Sequence, residues 1–171
     1  MNWPTGREHC AEAHSLVDRR IFLEVRQRGG LSRSTRPEEI GPMKKRTILV
    51  VDDDESILMV VSEYLTQVGY EVITAKNASS CLQVFKARPK EIDFALLDIK
   101  IGRESGFELA DRLEDQFRFH HYAFLTAFFW EEKTLDQLLQ RGKPYFDKPI
   151  KFEKELLPFL KQYFGEEERS S

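Results

Sequence analysis

The stretch TILVVDDD, residues 47–54, decides the fold. Its first five residues are β-branched or apolar without polar alternation, the pattern of a strand covered on both faces, as in a parallel sheet. It then runs into three consecutive carboxylates, Asp52, Asp53 and Asp54. Open parallel sheets place their ligand sites just outside the carboxyl ends of the strands, so acids at this point are candidates for chemistry. A lone Asp after a strand is more often a helix cap, and Asp54 is read as the N-cap of the next helix rather than as a metal ligand.

Outward from that strand the chain alternates between short β-branched runs and helical spacing, the signature of repeated βα units. A helix is predicted over 56–68, with Ile57, Val61, Leu65 and Val68 inward and Gly69 as its stop. Strand 70–75 (YEVITA) follows, and Asn77 caps a helix whose Ala78, Cys81, Leu82 and Phe85 share one face, with Pro89 just beyond its end. Strand 92–98 (IDFALLD), helix 106–117, strand 122–126 (YAFLT), helix 131–140, strand 144–148 (PYFDK) and helix 152–164 complete five units. The expected fold class is α/β, a (βα)5 doubly wound five-stranded parallel sheet.

The polar residues fall at strand ends. Strand one ends in Asp52 and Asp53, strand three in Asp98, strand four in Thr126 and strand five in Lys148. Clustered carboxylates stay ionised only beside a cation, and an all-oxygen cluster with one helper amine suits hard Mg2+, which leaves coordination positions for phosphate oxygens. A carboxylate in such a site can attack a phosphoryl donor, provided that metal and amine neutralise the transferring oxygens. Asp98 is the natural acceptor because its strand lies between the other site-bearing strands. Asp52 and Asp53 would hold the metal, Thr126 would donate a hydroxyl hydrogen bond, and Lys148 would supply a compact ammonium.

Bulk properties narrow the class. The 171 residues carry a formal charge of −3, but residues 1–46 hold ten Lys/Arg against six Asp/Glu, which leaves the remainder acidic. An acidic body excludes non-specific nucleic-acid binding, which needs a basic stripe. Cys10 and Cys81 cannot form a disulfide framework, and neither a signal peptide nor an apolar run of membrane-spanning length is present, so a cytoplasmic protein with no membrane contact is expected. Residues 1–43 read as a flexible basic N-terminal tail, at most with a marginal helix over 11–26, ahead of a domain at 44–171. His120 and His121 lack ligand partners and are read as surface residues, and Cys81 as core.

These residues resemble the receiver (response-regulator) family, through ILVVDDD at 48–54, LLDIKIGRESGFEL at 96–109, FLTA at 124–127 and DKP at 147–149. The resemblance covers about residues 46–165, and the ordered spacing of 45, 28 and 22 residues between Asp53, Asp98, Thr126 and Lys148 makes it specific. It implies a flavodoxin-like, CheY-like receiver fold of sheet order 2-1-3-4-5. It also implies Mg2+ held by Asp52, Asp53, Asp98 and the backbone carbonyl of Lys100, a phosphoacceptor at Asp98, a switch hydroxyl at Thr126 and a phosphate-binding amine at Lys148. Tyr145, three residues before the lysine, matches a coupled switch aromatic. The partners implied are a sensor histidine kinase or phosphotransfer protein and a downstream protein effector, reached without a fused output domain by a monomer or weak dimer.

The chain departs from the family where Ile101-Gly102 replaces the usual Met-Pro, which predicts a more mobile loop. Lys100, Ala127 and Phe128 flank the implied phosphoryl pocket, and bulk at Lys100 and Phe128 is expected to lengthen the life of the phosphorylated form. The run Phe128-Phe129-Trp130 reads as packing under the fourth helix in preference to a partner patch. Two rival functions remain: a degenerate receiver that binds partners without phosphorylation, and an aspartate-nucleophile phosphatase. The latter family places a second Asp two residues after the nucleophile, where this chain has Lys100.

Overall fold

A computed structural model describes residues 45–127 and 131–166. The predicted tail at 1–43, the marginal helix within it and the Phe128 to Trp130 run lie outside these residues. Strands β1 (Thr47–Val51), β2 (Glu71–Ala75), β3 (Phe94–Asp98), β4 (Tyr122–Thr126) and β5 (Tyr145–Asp147) form one parallel sheet of order β2-β1-β3-β4-β5. Strand and helix positions agree with the sequence reading to within a few residues, and the sheet order is the expected one.

The unbroken apolar run of β1 is explained by its neighbours. Successive side chains of a strand point to opposite faces. Leu49 and Val51 enter a core shared with Ala78, Cys81, Phe85, Leu109 and Leu113, whereas Ile48 and Val50 enter a second core with Leu58, Val61, Leu65, Leu156 and Leu160. The first core lies under α2 (Ala78–Ala87) and α3 (Gly106–Phe117), and the second under α1 (Glu55–Gln67) and α5 (Leu157–Phe164). Cys81 is core as read, and burial pushes its thiol up to about 12. Among the described residues no helix is long and apolar enough to cross a membrane.

Local chemistry sets the helix ends. Asp54 caps α1, its Oδ1 accepting from the Ser56 N–H at 2.8 Å, and Asn77 accepts from Ser80 N–H at 2.8 Å to cap α2. The inward stripe of α1 differs from the reading, because Leu58, Val61 and Leu65 are buried, Ile57 is half-buried and Val68 is exposed. The helix closes at Gln67, which leaves Val68 as a cap residue that no longer follows the helical face. The last helix also departs from a plain α-helix, since Phe152–Leu156 forms a wide π-type turn before α5. The Leu156 N–H donates to the Lys151 carbonyl and the Leu157 N–H to the Phe152 carbonyl, each five residues back, and Pro158 stands in the first turn of α5, where its missing N–H is tolerated.

The loop after β3, where the missing proline predicts more mobility, forms a short hairpin. Lys100–Ile101 pairs antiparallel with Glu104–Ser105, and Gly102 turns the chain with φ +62°. Proline fixes φ near −65° and could not stand there, so glycine is required by the hairpin itself.

At the end of this hairpin Gly106 opens α3 directly over the acceptor strand. Its N–H donates to the Ile99 carbonyl at 2.7 Å, and a Cβ at this position would lie 1.9 Å from the Asp98 carbonyl oxygen. Gly69 differs, with φ +106° and open space around it. Gly106→Ala should therefore destabilise by about 3 kcal/mol through backbone displacement, against about 1 kcal/mol for the conformational penalty of Gly69→Ala. Denaturant titration of both variants checks the order, and equal costs would refute the close-approach account.

Candidate phosphoryl and metal site

Three strands bring their carboxyl ends to one rim. Asp52 follows β1 and its N–H donates to the Ala75 carbonyl of β2 at 3.1 Å, while Asp98 is the last residue of β3. One carboxylate oxygen from each of Asp52, Asp53 and Asp98 lies within 4.8 Å of the others. Lys148, just past β5, reaches them with Nζ 2.5 Å from Asp52 Oδ2 and 3.1 Å from Asp98 Oδ1. Asp52 is fully buried, Asp98 nearly so, and Asp53 faces solvent. The Asp54 N–H donates to Asp52 Oδ1 at 3.0 Å, so the backbone of the strand-to-helix turn fixes that carboxylate.

The other predicted residues fall around this group. Thr126 ends β4, fully buried, one place beyond Leu125, which stands opposite Asp98 in the β3–β4 ladder. Its carbonyl accepts from the Lys148 N–H at 2.8 Å, which ties the threonine strand to the lysine. Tyr145 begins β5 opposite Phe124, its ring buried in the core under α2 and α3. Ala127 directly follows Thr126 and is half-buried, and Lys100 occupies the first hairpin strand. His120 and His121 are exposed as read, although His121 Nδ1 meets the Tyr163 hydroxyl at 2.5 Å. The sequence reading missed Gly106, whose only signal was a glycine at a helix start, and Glu104, which gave none.

Electrostatics follow from this packing. Burial raises the Asp98 carboxyl to about 6, opposed by the Lys148 charge, reinforced by Asp52, and opposed again by hydrogen bonds from Lys148 and the Lys100 backbone. Burial works against the Lys148 ammonium, but the bond to Asp52 and the charges of Asp98 and Asp52 outweigh it and hold the group above its ordinary range. Three acids facing one ammonium retain excess negative charge in a partly dry pocket. A hard divalent cation fits that donor set, since all three candidate ligands offer oxygen and no Cys or His stands among them.

Because the folded Asp98 carboxyl sits above the ordinary carboxylate range, the native state binds more protons than the unfolded chain between about pH 4 and 6. Ionised Asp98 thus opposes folding above that window, and the opposition disappears as pH falls through it. In metal-free buffer Asp98→Asn should stabilise the protein by about 1–2 kcal/mol at pH 7, after allowance for solvent screening, and by almost nothing at pH 4. Denaturant midpoints at the two pH values measure this, and a gain that is equal at both would rule out the ionised carboxylate as its source.

Comparison with known proteins agrees with this fold. The response regulator receiver domain model matches residues 48–157. The uncharacterized transcriptional regulatory protein YrkP of Bacillus subtilis is 37% identical over 106 residues, 60% of this chain and 43% of that protein. The polar-differentiation response regulator DivK of Brucella anthropi is 24% identical over 123 residues, 71% of this chain and 98% of its own length. The chain spans under half the length of the first curated relatives it matches. Among solved structures, chemotaxis protein CheY4 of Vibrio cholerae superposes with a TM-score of 0.58 at 30% identity, covering 70% of this chain and 98% of that one. With a family model matched from β1 into the last helix, and the acids, threonine and lysine standing at the sheet rim, this chain belongs to the response regulator receiver domain family of two-component signalling.

Proposed function

We propose that this protein is a Mg2+-dependent phosphorylation switch that accepts a phosphoryl group on Asp98 from a sensor histidine kinase or phosphotransfer protein and signals through a downstream protein effector. The observation that carries the reading is the position of Lys148 Nζ, shared between Asp52 and Asp98 within a group of three converging carboxylates. Asp52, Asp53, Asp98 and the Lys100 carbonyl would hold the ion. When bound, Mg2+ would neutralise charge on the phosphoryl oxygens and help to align them for in-line transfer.

The chain's own residues account for the rest. A carboxylate oxygen of Asp98 forms a bond to phosphorus as the donor's P–N bond breaks, and the electron pair departs with the donor imidazole. Lys148 then exchanges part of its contact with Asp98 for a phosphoryl oxygen, and the Thr126 hydroxyl donates to another. Water attack on phosphorus later releases inorganic phosphate and restores the carboxylate, so chemistry is confined to the protein's own aspartyl phosphate. Tyr145, on the strand that precedes Lys148, couples these shifts to the face of α4 (Glu132–Arg141), β5 and α5. The phosphatase alternative lacks its second acid, because Lys100 stands two residues after Asp98.

Incubation with Mg2+ and a small acyl phosphate should give one phosphoryl adduct by intact mass on the parent and none on Asp98→Asn. Adducts on neither protein would instead mark a phosphorylation-independent binding module, and steady turnover of phosphomonoesters would mark the phosphatase. Lys100 sits at the pocket's edge on the hairpin, where its side chain restricts water or pairs with phosphoryl oxygens. Lys100→Asn should shorten the half-life of the adduct by about threefold or more, a barrier change of about 0.7 kcal/mol. Decay followed by mass at fixed Mg2+ tests this, and an unchanged half-life would remove Lys100 from the account.

A further inference from the structure

We propose that Glu104 is a positioning residue for the cation site, acting as a strap that fixes the Lys100–Ser105 hairpin against the N-terminus of α2. The proposal rests on the reading of Asp52, Asp53 and Asp98 as the metal site. It concerns a residue that contributes nothing to that site directly. Glu104 Oε2 accepts from the Ala78 N–H at 3.1 Å. Ala78 is the first residue of α2, and its N–H has no partner within the helix because the helical ladder starts three residues later, with Cys81 N–H donating to the Asn77 carbonyl. Asn77 already serves the Ser80 N–H, so the two acceptors divide the helix end between them. A carboxylate is the favoured acceptor at this position, since the helix dipole adds to the hydrogen bond.

The hairpin is held from both sides. Ile101, directly across the ladder from Glu104, is buried in the same core as Ala78 and Cys81. Its burial sets the depth of the hairpin but supplies no directional bond to α2. Glu104 supplies the directional contact. Its neighbour Ser105 accepts from the Phe107 N–H at 3.2 Å and so joins the second arm to the start of α3. Two groups of the cation site depend on where this hairpin sits. Lys100 lies on its first arm, opposite Ser105, and a Cβ on the turn residue Gly102 would stand 3.9 Å from Asp53 Oδ2. Releasing Glu104 would therefore let the Lys100 backbone and the ground beside Asp53 shift together, while β1 and β3 keep Asp52 and Asp98 in place.

The experiment is a Mg2+ titration of the isotopically labelled full chain, read by the amide shifts of Asp53, Asp98 and Lys100 in the parent, Glu104→Ala and Glu104→Gln. Amide hydrogen exchange at Ala78 and thermal melting without Mg2+ accompany it. In Glu104→Ala the Ala78 amide should exchange faster and Mg2+ affinity should fall by about three- to tenfold, below the 10- to 100-fold typical of groups bonded directly to metal ligands. Melting should change by no more than a few degrees, and Glu104→Gln, which keeps an acceptor oxygen, should recover most of the affinity. Parental affinity in Glu104→Ala would overturn the positioning role while leaving the cation site intact, as would an equal loss in both variants. A parent that shows no Mg2+-dependent shifts at these carboxylates would overturn the site and the strap together.

Discussion

Lys148 has to reach across most of the sheet to do what the rest of the site requires. It follows β5, whereas Asp98 ends β3 and Asp52 follows β1, with β4 lying between β5 and β3. Neighbouring strands lie about 4.8 Å apart, so the Lys148 backbone stands roughly two spacings from β3 and three from β1, and the ammonium meets both acids only because the lysine stem and the two carboxylate side chains extend towards one another. Its compact head carries rotatable donors that can serve two carboxylates at once. Without that cation, Asp52 would be a buried charge left with the Asp54 N–H as its hydrogen-bond donor among the described residues, a costly state for a carboxylate. The burial of Asp52, the register of β5 and the order of the strands are thus parts of one electrostatic arrangement. It leaves the rim with three acids facing one ammonium.

How a change at that rim could travel follows from how unevenly the helices are anchored. α1, α2 and α3 each bury three or more residues, and α5 buries Leu160 with half-buried Leu157, Phe159, Tyr163 and Phe164 packed against the same core, whereas α4 buries only Thr134 and Leu138. Its C-terminal end is fastened, since Arg141 forms a bidentate pair with Asp111 of α3 at 2.7 and 2.9 Å and lies over the Phe107 ring. Its other end follows the loop after Thr126 and has no side-chain cap. An element with little apolar contact and one fixed end belongs to the low-stability part of a domain, where a local charge change has most effect. Thr126 and Tyr145 stand on the two strands nearest that helix in the chain.

Much of this was legible in the sequence because it depends on short-range patterns. A continuous apolar run ending in acids, as at Thr47 to Asp54, gives both a buried strand and its functional end, and five such units leave few ways to arrange a doubly wound sheet. Asn77 and Asp54 were readable as caps because the capping bond lies within two or three residues of the cap. The features that were missed are all set by partners distant in sequence, or by one missing atom. The face of α1 shifted because periodicity alone does not say which of two neighbouring residues, Ile57 or Leu58, points inward. The π-type turn at Phe152–Leu156 keeps near-helical spacing, so periodicity did not separate it from the α-helix that follows. Glu104 makes its contact 26 residues away, and nothing in its own neighbourhood marks it.

The hairpin after Asp98 shows why a departure from a family pattern need not mean a loss of order. A proline restricts the chain before it folds by removing backbone freedom, and its absence would leave this loop with more freedom to lose. Here the restriction comes from contacts made on folding: Ile101 seated in the core, Glu104 on the end of α2, Ser105 on the start of α3, and Gly106 pressed against the Asp98 carbonyl. Each fixes a different degree of freedom, namely depth, lateral position, exit direction and approach to the acceptor strand. A loop held in this way owes its geometry to the helices around it. The backbone beside Asp98 is consequently held by contacts from α2 and α3, where a proline-stiffened loop would be more nearly self-contained.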